Sequence, residues 1–362
     1  MNEHPTPRER PPTDEQAIAF LADMVRIPSP SGQEERVARR MVDEMQRLGF
    51  DAEMDGAGNA VGHLGQGSPH IILLGHMDTV PGEIPVRREG NLLYGRGSVD
   101  AKGPLAAFVM AAARIAPPTN AKVTVIGAVE EEAATSKGAY YAVERYRPDY
   151  VIIGEPSRWN RITLGYKGRL LVDYSLEQPM AHTAGEGRGA CEEAVAFWQE
   201  IARWAAEYNQ DKPNRFATLD PSLRAIHSSQ DGLAERVEMH IGLRLPLELD
   251  LDALTGPMLD DWRGQAEVTM HGYEEPFRAE KRNLLTSAFL WAIREEGDKA
   301  AFVNKTGTSD MNVVGPRWRC PIVAYGPGDS SLDHTPDEHI DLDEYLQSIR
   351  VLTKVLGRLA ES

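Results

Sequence analysis

Apolar residues recur at helical spacing in two early segments. Each segment opens on residues spaced as a capping box, Thr13 with Gln16 and then Ser31 with Glu34. The pattern predicts two helices, the second ending near Gly49. Farther along, the texture changes to short aliphatic runs, Ile71 to Leu74, Val123 to Ile126, Val151 to Ile153 and Ile322 to Ala324, which alternate with helical stretches. Continuous runs of this length predict strands of a mostly parallel sheet, with helices on both faces. Between about Tyr166 and Gly272 the order is a strand at Leu170 to Leu176, a helix from Ala190 to Tyr208, a strand at Val237 to Leu245 and a helix from Leu251 to Trp262. That β-α-β-α order matches a small ferredoxin-like α+β domain, and a helix from Asn283 with a strand near Cys320 then resumes the larger α/β fold. The expected division is 13–165 and 273–362 for the larger domain, 166–272 for the inserted one, and residues 1–12 as a disordered proline-rich tail.

A chain of 362 residues exceeds the usual size of one core, which agrees with two domains. A hydrophobic fraction of 41% is enough to bury a large core and excludes wholesale disorder. The net charge of −16 repels nucleic acid phosphates and offers no general basic surface to an anionic membrane. No apolar run approaches the ~20 residues needed to span a bilayer. Cys191 and Cys320 are far apart in sequence and form no disulfide framework, so a reducing cytoplasm is the expected location. Cys320, within an apolar run, reads as a buried and inert thiol.

The chemistry gathers where the aliphatic runs end. Ile71 to Leu74 leads into Gly75-His76-Met77-Asp78, Val123 to Ile126 into Glu130-Glu131-Glu132, and Val151 to Ile153 into Gly154-Glu155. In open α/β sheets, ligands bind at that carboxyl edge. In extended chain His76 and Asp78 share a face, so an imidazole and a carboxylate can aim together. The glycines of Tyr94-Gly95-Arg96-Gly97-Ser98-Val99-Asp100 fit a dinucleotide fingerprint poorly, since the third glycine is absent; the alternative is a tight turn that delivers Asp100 just before a helix. Three successive acids are usually a solvated face, but at the mouth of a buried sheet they repel one another unless a cation is present. His334 completes a set of imidazoles and carboxylates that suits zinc, with cobalt or manganese as substitutes.

These motifs, with Gly154-Glu155-Pro156 and the late His334, resemble the dinuclear zinc metallopeptidase family of aminoacylases, glutamate carboxypeptidases and succinyl-diaminopimelate desuccinylases. The resemblance covers nearly the whole chain after the tail. It implies a zinc peptidase-like catalytic domain with an inserted lid and dimerisation domain, two zinc ions for which cobalt can substitute, and hydrolysis of an amide. His76 and Glu155 would hold one ion, Glu131 and His334 the other, with Asp100 bridging. Asp78 would orient His76, and Glu130 would be the general base. His182 resembles a histidine that stabilises the oxyanion from the partner subunit of a homodimer; without the family it reads as a turn histidine. Arg244 resembles an arginine that binds a substrate carboxylate, or else forms a surface ion pair. Gly307-Thr308-Ser309-Asp310 resembles a glycine-containing substrate loop, or else a turn before a capped helix.

Gly165-Tyr166-Lys167-Gly168 and Lys305 to Met311 carry a narrower likeness, to hydrolases that release lysine, and often ornithine, from a small acidic amino-group carrier protein in lysine and arginine biosynthesis. The partners so implied are that carrier and the free amino acid product, with no nucleic acid and no membrane. Candidate basic residues for carrier docking are Lys167, Arg169, Arg188, Lys305, Arg317 and Arg319. The alternatives are a small-molecule N-acyl-amino-acid deacylase or dipeptidase of the same family, and a non-catalytic binding protein on the same fold. The presence of every expected ligand argues against the last.

Overall fold

The computed structural model describes residues 11–115, 120–180, 182 and 187–361. Two compact units emerge: residues up to Gly165 with Ala279–Asn304 and Ser309–Ser362 form the first, and Tyr166–Arg278 with Lys305–Thr308 the second.

The sheet of the first unit runs Asp51–Met54, Ala60–Leu64, Lys122–Ala128, His70–His76, Tyr150–Gly154, Ile322–Ala324, Arg161–Tyr166. Its four central strands, from Lys122–Ala128 to Ile322–Ala324, are mutually parallel. Antiparallel neighbours border them. The aliphatic runs lie at the centre, where Ile71 to Leu74 and Val151 are fully buried. A strand buried on both faces needs no alternation, which is why these runs were legible in the sequence. The helix Lys102–Arg114 is buried along almost its whole length. Its close approach depends on glycine: a Cβ at Gly154 would stand 2.9 Å from the Phe108 ring and 3.1 Å from the Gly75 backbone.

The second unit is a four-stranded antiparallel sheet, ordered Asp220–Gln230, Ala234–Leu245, Gly168–Pro179, Glu267–Glu274. With the helices Ala190–Asn209 and Leu251–Pro257 its chain order is β-α-β-β-α-β, the full ferredoxin-like arrangement. Leu170, Val172, Tyr174 and Leu176 alternate into a core with Phe197 and Ile201, leaving Asp173 and Ser175 on the open face.

The structure departs from the sequence expectations in several places. In the first unit the strands Asp51–Met54, Ala60–Leu64 and Arg161–Tyr166 were not anticipated, and neither were two strands of the four-stranded sheet. Asp220–Gln230 is a largely exposed, polar edge strand with no apolar stripe to announce it, and Glu267–Glu274 runs past Gly272. The stretch from Leu251 to Trp262 is an α-helix only as far as Pro257 and continues as a π-helical turn over Met258–Trp262. Thr13 and Gln16 do form a capping box, whereas Ser31 and Glu34 do not; the second helix begins at Glu35 with no side-chain cap. The expected tail falls mainly on residues 1–10, outside the described residues, but Pro12 is buried and its carbonyl accepts from Arg114 Nε at 3.1 Å.

Candidate metal centre

Three parallel neighbours, Lys122–Ala128, His70–His76 and Tyr150–Gly154, end side by side. His76 is the last residue of the middle strand, Glu131 and Glu132 follow one neighbour, and Glu155 follows the other. Asp100 lies in the turn before Lys102–Arg114, and His334 in the loop after the short helix Ser330–Leu332. The carboxyl edge of the sheet thus gathers side chains from five separate stretches of chain.

Asp100 occupies the middle. Its Oδ1 lies 3.2 Å from His76 Nε2 and its Oδ2 3.1 Å from His334 Nε2. Glu132 Oε1 stands 3.0 Å from the same His334 nitrogen, while Glu131 Oε2 and Glu155 Oε1 are each 4.0 Å from His76 Nε2. Asp78 is fully buried, and its Oδ1 stands 3.4 Å from the other ring nitrogen of His76. Its carboxylate also accepts the backbone N–H groups of Glu131 and Glu132, each at 3.0 Å.

The acidic triplet sits one residue out of the expected register. Glu130, the expected base, is not in the cluster; Thr135 Oγ1 donates to it at 2.7 Å and Lys137 Nζ lies 3.5 Å away. Glu132, to which the sequence reading gave no role, takes the place beside His334 that was expected of Glu131. Glu130 adopts φ 59°, and this turn points the next two side chains inward. Sequence offered three acids in a row and no means of ranking them.

Burial and charge set the protonation of the cluster. Burial opposes a charged His76, but bonds to Asp100 and Asp78 raise its pKa well above the ordinary imidazole value. His334 is raised to about 10 by its bonds to Asp100 and Glu132. Burial would raise Asp100, yet the two imidazoles hold it well below the usual carboxylate range. Glu131 is pushed well up by burial and by the charges of Glu155, Glu132 and Asp310. Asp310, which the sequence reading placed in the candidate substrate loop without a role of its own, is buried at the start of the helix Asp310–Trp318. Crowded carboxylates that resist ionisation are what a bound cation relieves. The donor set fits such ions: two imidazoles and several carboxylates, with neighbouring ligand atoms about 3 Å apart, suit bonds of about 2.0–2.2 Å to a zinc-class metal.

Behind the cluster lies a support the sequence did not reveal. Glu338, fully buried, accepts from the backbone N–H of Val99 at 2.9 Å and of Asp100 at 3.2 Å, and Arg96 Nη1 bonds its other oxygen at 2.8 Å. No local pattern links residues more than two hundred positions apart.

In the second unit, Arg244 Nη1 donates to Thr308 Oγ1 at 3.0 Å, so that candidate arginine and part of the candidate loop do meet. Gly307 belongs to the same unit, whereas Ser309 belongs to the first and caps the helix Asp310–Trp318. His182 is exposed, and residues 181 and 183–186 beside it lie outside the described residues. Among the candidate docking residues, Lys167 is buried on Asp220 and Thr218, and Arg169 is paired with Glu274, so neither presents a free basic surface. Cys320 is half-buried and burial pushes its thiol up to about 11, in keeping with an unreactive residue.

A mostly parallel sheet carrying a buried, acid-rich cluster of carboxylates and two imidazoles at its carboxyl edge presents the donors of a candidate metal centre. The chain belongs to the peptidase family M20/M25/M40, whose family model matches residues 72–358. It is 47% identical over 355 residues to a LysW-lysine hydrolase of Deinococcus radiodurans, covering 96% of this chain and 98% of that protein. It is 39% identical to a putative LysW-lysine/LysW-ornithine hydrolase of Pyrococcus abyssi, covering 96% and 95%. Its fold is similar to that of an M20 family metallo-carboxypeptidase, Sso-CP2 of Sulfolobus solfataricus, with a TM-score of 0.80 at 18% identity over 96% of this chain and all of that one.

Proposed function

We propose that this enzyme releases lysine, with ornithine as a second product, from an acidic amino-group carrier protein by hydrolysing the amide that joins them. The observation that carries this reading is the near full-length 47% identity to a LysW-lysine hydrolase, in a chain whose candidate site gathers residues that could hold metal. His76 and Glu155 would hold one ion, Glu132 and His334 the other, with Asp100 shared. Zinc is the proposed metal, with cobalt as a substitute. Two such ions would supply Lewis acidity that polarises the amide carbonyl and acidifies the attacking water.

Glu131 is the proposed base in place of Glu130, because its carboxyl is within the cluster and bonded to neither imidazole. It takes a proton from water as the oxygen adds to the carbonyl carbon, then passes that proton to the leaving amine as the C–N bond breaks. Asp78 fixes the ring of His76. Arg244, braced by Thr308, would bind the free carboxylate of the amino acid with Gly307 and Ser309 nearby in sequence, and His182 of a second copy would meet the oxyanion in a homodimer. A cytoplasmic location goes with a biosynthetic role; among the described residues no helix is long and apolar enough to cross a membrane.

The test is direct. Purified protein with zinc or cobalt is incubated with carrier-linked lysine and with Nα-acetyl-lysine. Preference for the carrier-linked form is expected, and equal or greater kcat/KM for the acetylated amino acid would favour a small-molecule deacylase. For the dimer, Glu131→Gln and His182→Ala chains are mixed and allowed to exchange subunits. Hybrid dimers should regain one complete site in two, and verified exchange without recovery would reject a shared active site.

A further inference from the structure

The sequence presents Ser31 and Glu34 as a helix cap, and neither side chain is spent on the helix. Both are turned toward the metal centre. We infer that segment 27–34 is a positioning brace for the cluster and acts on it through Ser31 and Glu34.

The segment is tied to the residues that directly follow the strand ending at His76. Thr79 N–H donates to Ser29 O at 3.0 Å, Ser29 Oγ donates to Met77 O at 2.7 Å, and Pro30 bridges Thr79 in parallel register. That register brings Ser31 Oγ to within 2.7 Å of Asp78 Oδ2. The same oxygen accepts Glu132 N–H, while Oδ1 accepts Glu131 N–H and faces His76. Asp78 therefore has polar neighbours on both oxygens, and its plane cannot rotate without breaking one of them. Ser31 supplies the shortest of these bonds.

Glu34 acts on the other side. It is 5% exposed, and its Oε1 accepts from Gly32 N–H at 2.9 Å and from Glu130 N–H at 3.1 Å. Glu130 is the residue in the left-handed conformation, which a non-glycine side chain adopts only where its surroundings hold it. That turn aims the next two amides at Asp78 and the next two carboxylates at the imidazoles. The start of the brace is tied down as well, since Lys102 Nζ donates to Ile27 O at 2.7 Å from the helix that follows Asp100. One short segment thus connects the strand bearing His76, the turn bearing Asp100 and the loop bearing Glu131 and Glu132. Metal ligands keep their orientation through such outer partners, whose loss typically weakens metal binding or activity by ~10–100-fold.

The inference rests on the reading that the cluster holds metal, and the two can fail separately. Wild-type protein is stripped with a chelator and titrated with cobalt. If it takes up no metal, the site reading fails before any variant is made. Ser31→Ala and Glu34→Ala are then compared with wild type and with Glu35→Ala, an exposed neighbour paired with Arg39, by cobalt affinity, visible cobalt absorption, kcat, KM and thermal midpoint. Both alanine variants should bind cobalt ~10-fold or more weakly, show an altered cobalt spectrum and lose kcat more than they raise KM. Ser31→Thr keeps the hydroxyl and Glu34→Gln keeps the accepting oxygen, so each should restore most of the loss. Glu35→Ala should behave as wild type. A lowered thermal midpoint with unchanged cobalt affinity and spectrum would reduce the segment to an ordinary structural turn and overturn the inference. So would conservative variants as damaged as the alanine ones. Should Glu34→Ala fail to fold, the smaller Ser31→Ala deletion decides the question on the same readouts.

Discussion

Asp100 and Asp173 each hold two imidazoles on one carboxylate. At Asp100 the distances are 3.2 Å to His76 and 3.1 Å to His334; at Asp173 they are 2.7 Å to His240 and 3.0 Å to His271. Judged by hydrogen bonds alone, the second cluster is the tighter. The difference lies in the surroundings. Asp100 is 12% exposed and crowded by Glu131, Glu132 and Glu155, whereas Asp173 is 40% exposed, on the open face of the ferredoxin-like sheet. Water screens the exposed trio and can solvate each member if a partner leaves. Around Asp100 the crowded, buried carboxylates repel one another, and a bound cation relieves that repulsion. Burial and excess negative charge, more than the hydrogen bond geometry, separate a metal centre from a surface ion pair.

The sharpest way to break this comparison is through the base. Glu131→Gln should lower kcat by at least ~10²-fold with metal content unchanged, since the ligands remain. Glu130→Gln and Asp173→Asn should both turn over at close to the wild-type rate. Steady-state kinetics with elemental analysis decides it, and a dead Glu130→Gln beside an active Glu131→Gln would return the triplet to the register expected from sequence.

A second contrast concerns the imidazoles themselves. His334→Ala should weaken binding of one ion of the pair by at least ~10-fold, because that ion loses its only nitrogen ligand among the proposed set. His240→Ala should leave the metal stoichiometry untouched. Equal losses in the two variants would mean that the crowd of carboxylates around Asp100 is not what distinguishes the clusters.

A third imidazole pair sharpens the point by reversing its sign. His63 and His70 share Thr124 Oγ1, each at 2.9 Å, and the charge of Lys122 outweighs that of Asp51 and Asp149 beside them. Burial, then Lys122 and His63, push His70 down to about 4. Between about pH 6.5 and about pH 4 the unfolded chain therefore binds a proton at this site that the folded protein refuses, so stability should fall as pH drops through that window. His70→Gln should flatten the dependence when denaturation midpoints are compared across it. An unchanged slope would assign the acid sensitivity to other groups. The smallest effect belongs to the exposed trio: Asp173→Asn should change stability by no more than about 0.5 kcal/mol in chemical denaturation.

Much of this molecule was legible before its structure. The aliphatic runs of a doubly covered parallel sheet mark themselves, because each position is buried among apolar neighbours and only Thr124 interrupts them. Residues directly after such strands must reach the carboxyl edge, so His76 and Glu155 could be placed from sequence, and the order of motifs brought Asp100 and His334 with them. Where a strand lies half in water, as Asp220–Gln230 does, that signal fades.

What the sequence could not decide are relations set by direction and by distance along the chain. Three consecutive acids are equivalent in a string; the left-handed turn at Glu130, held by Glu34, turns one away and two inward. A serine and a glutamate at capping spacing are a helix signal until folding lays Ser31 against Asp78, forty-seven positions away. Glu338 supports Asp100 from still farther off. Local chemistry limited which residue types could carry the reaction. Which way each carboxylate points follows from backbone conformation and from partners remote in sequence, and only the assembled tertiary structure supplies both.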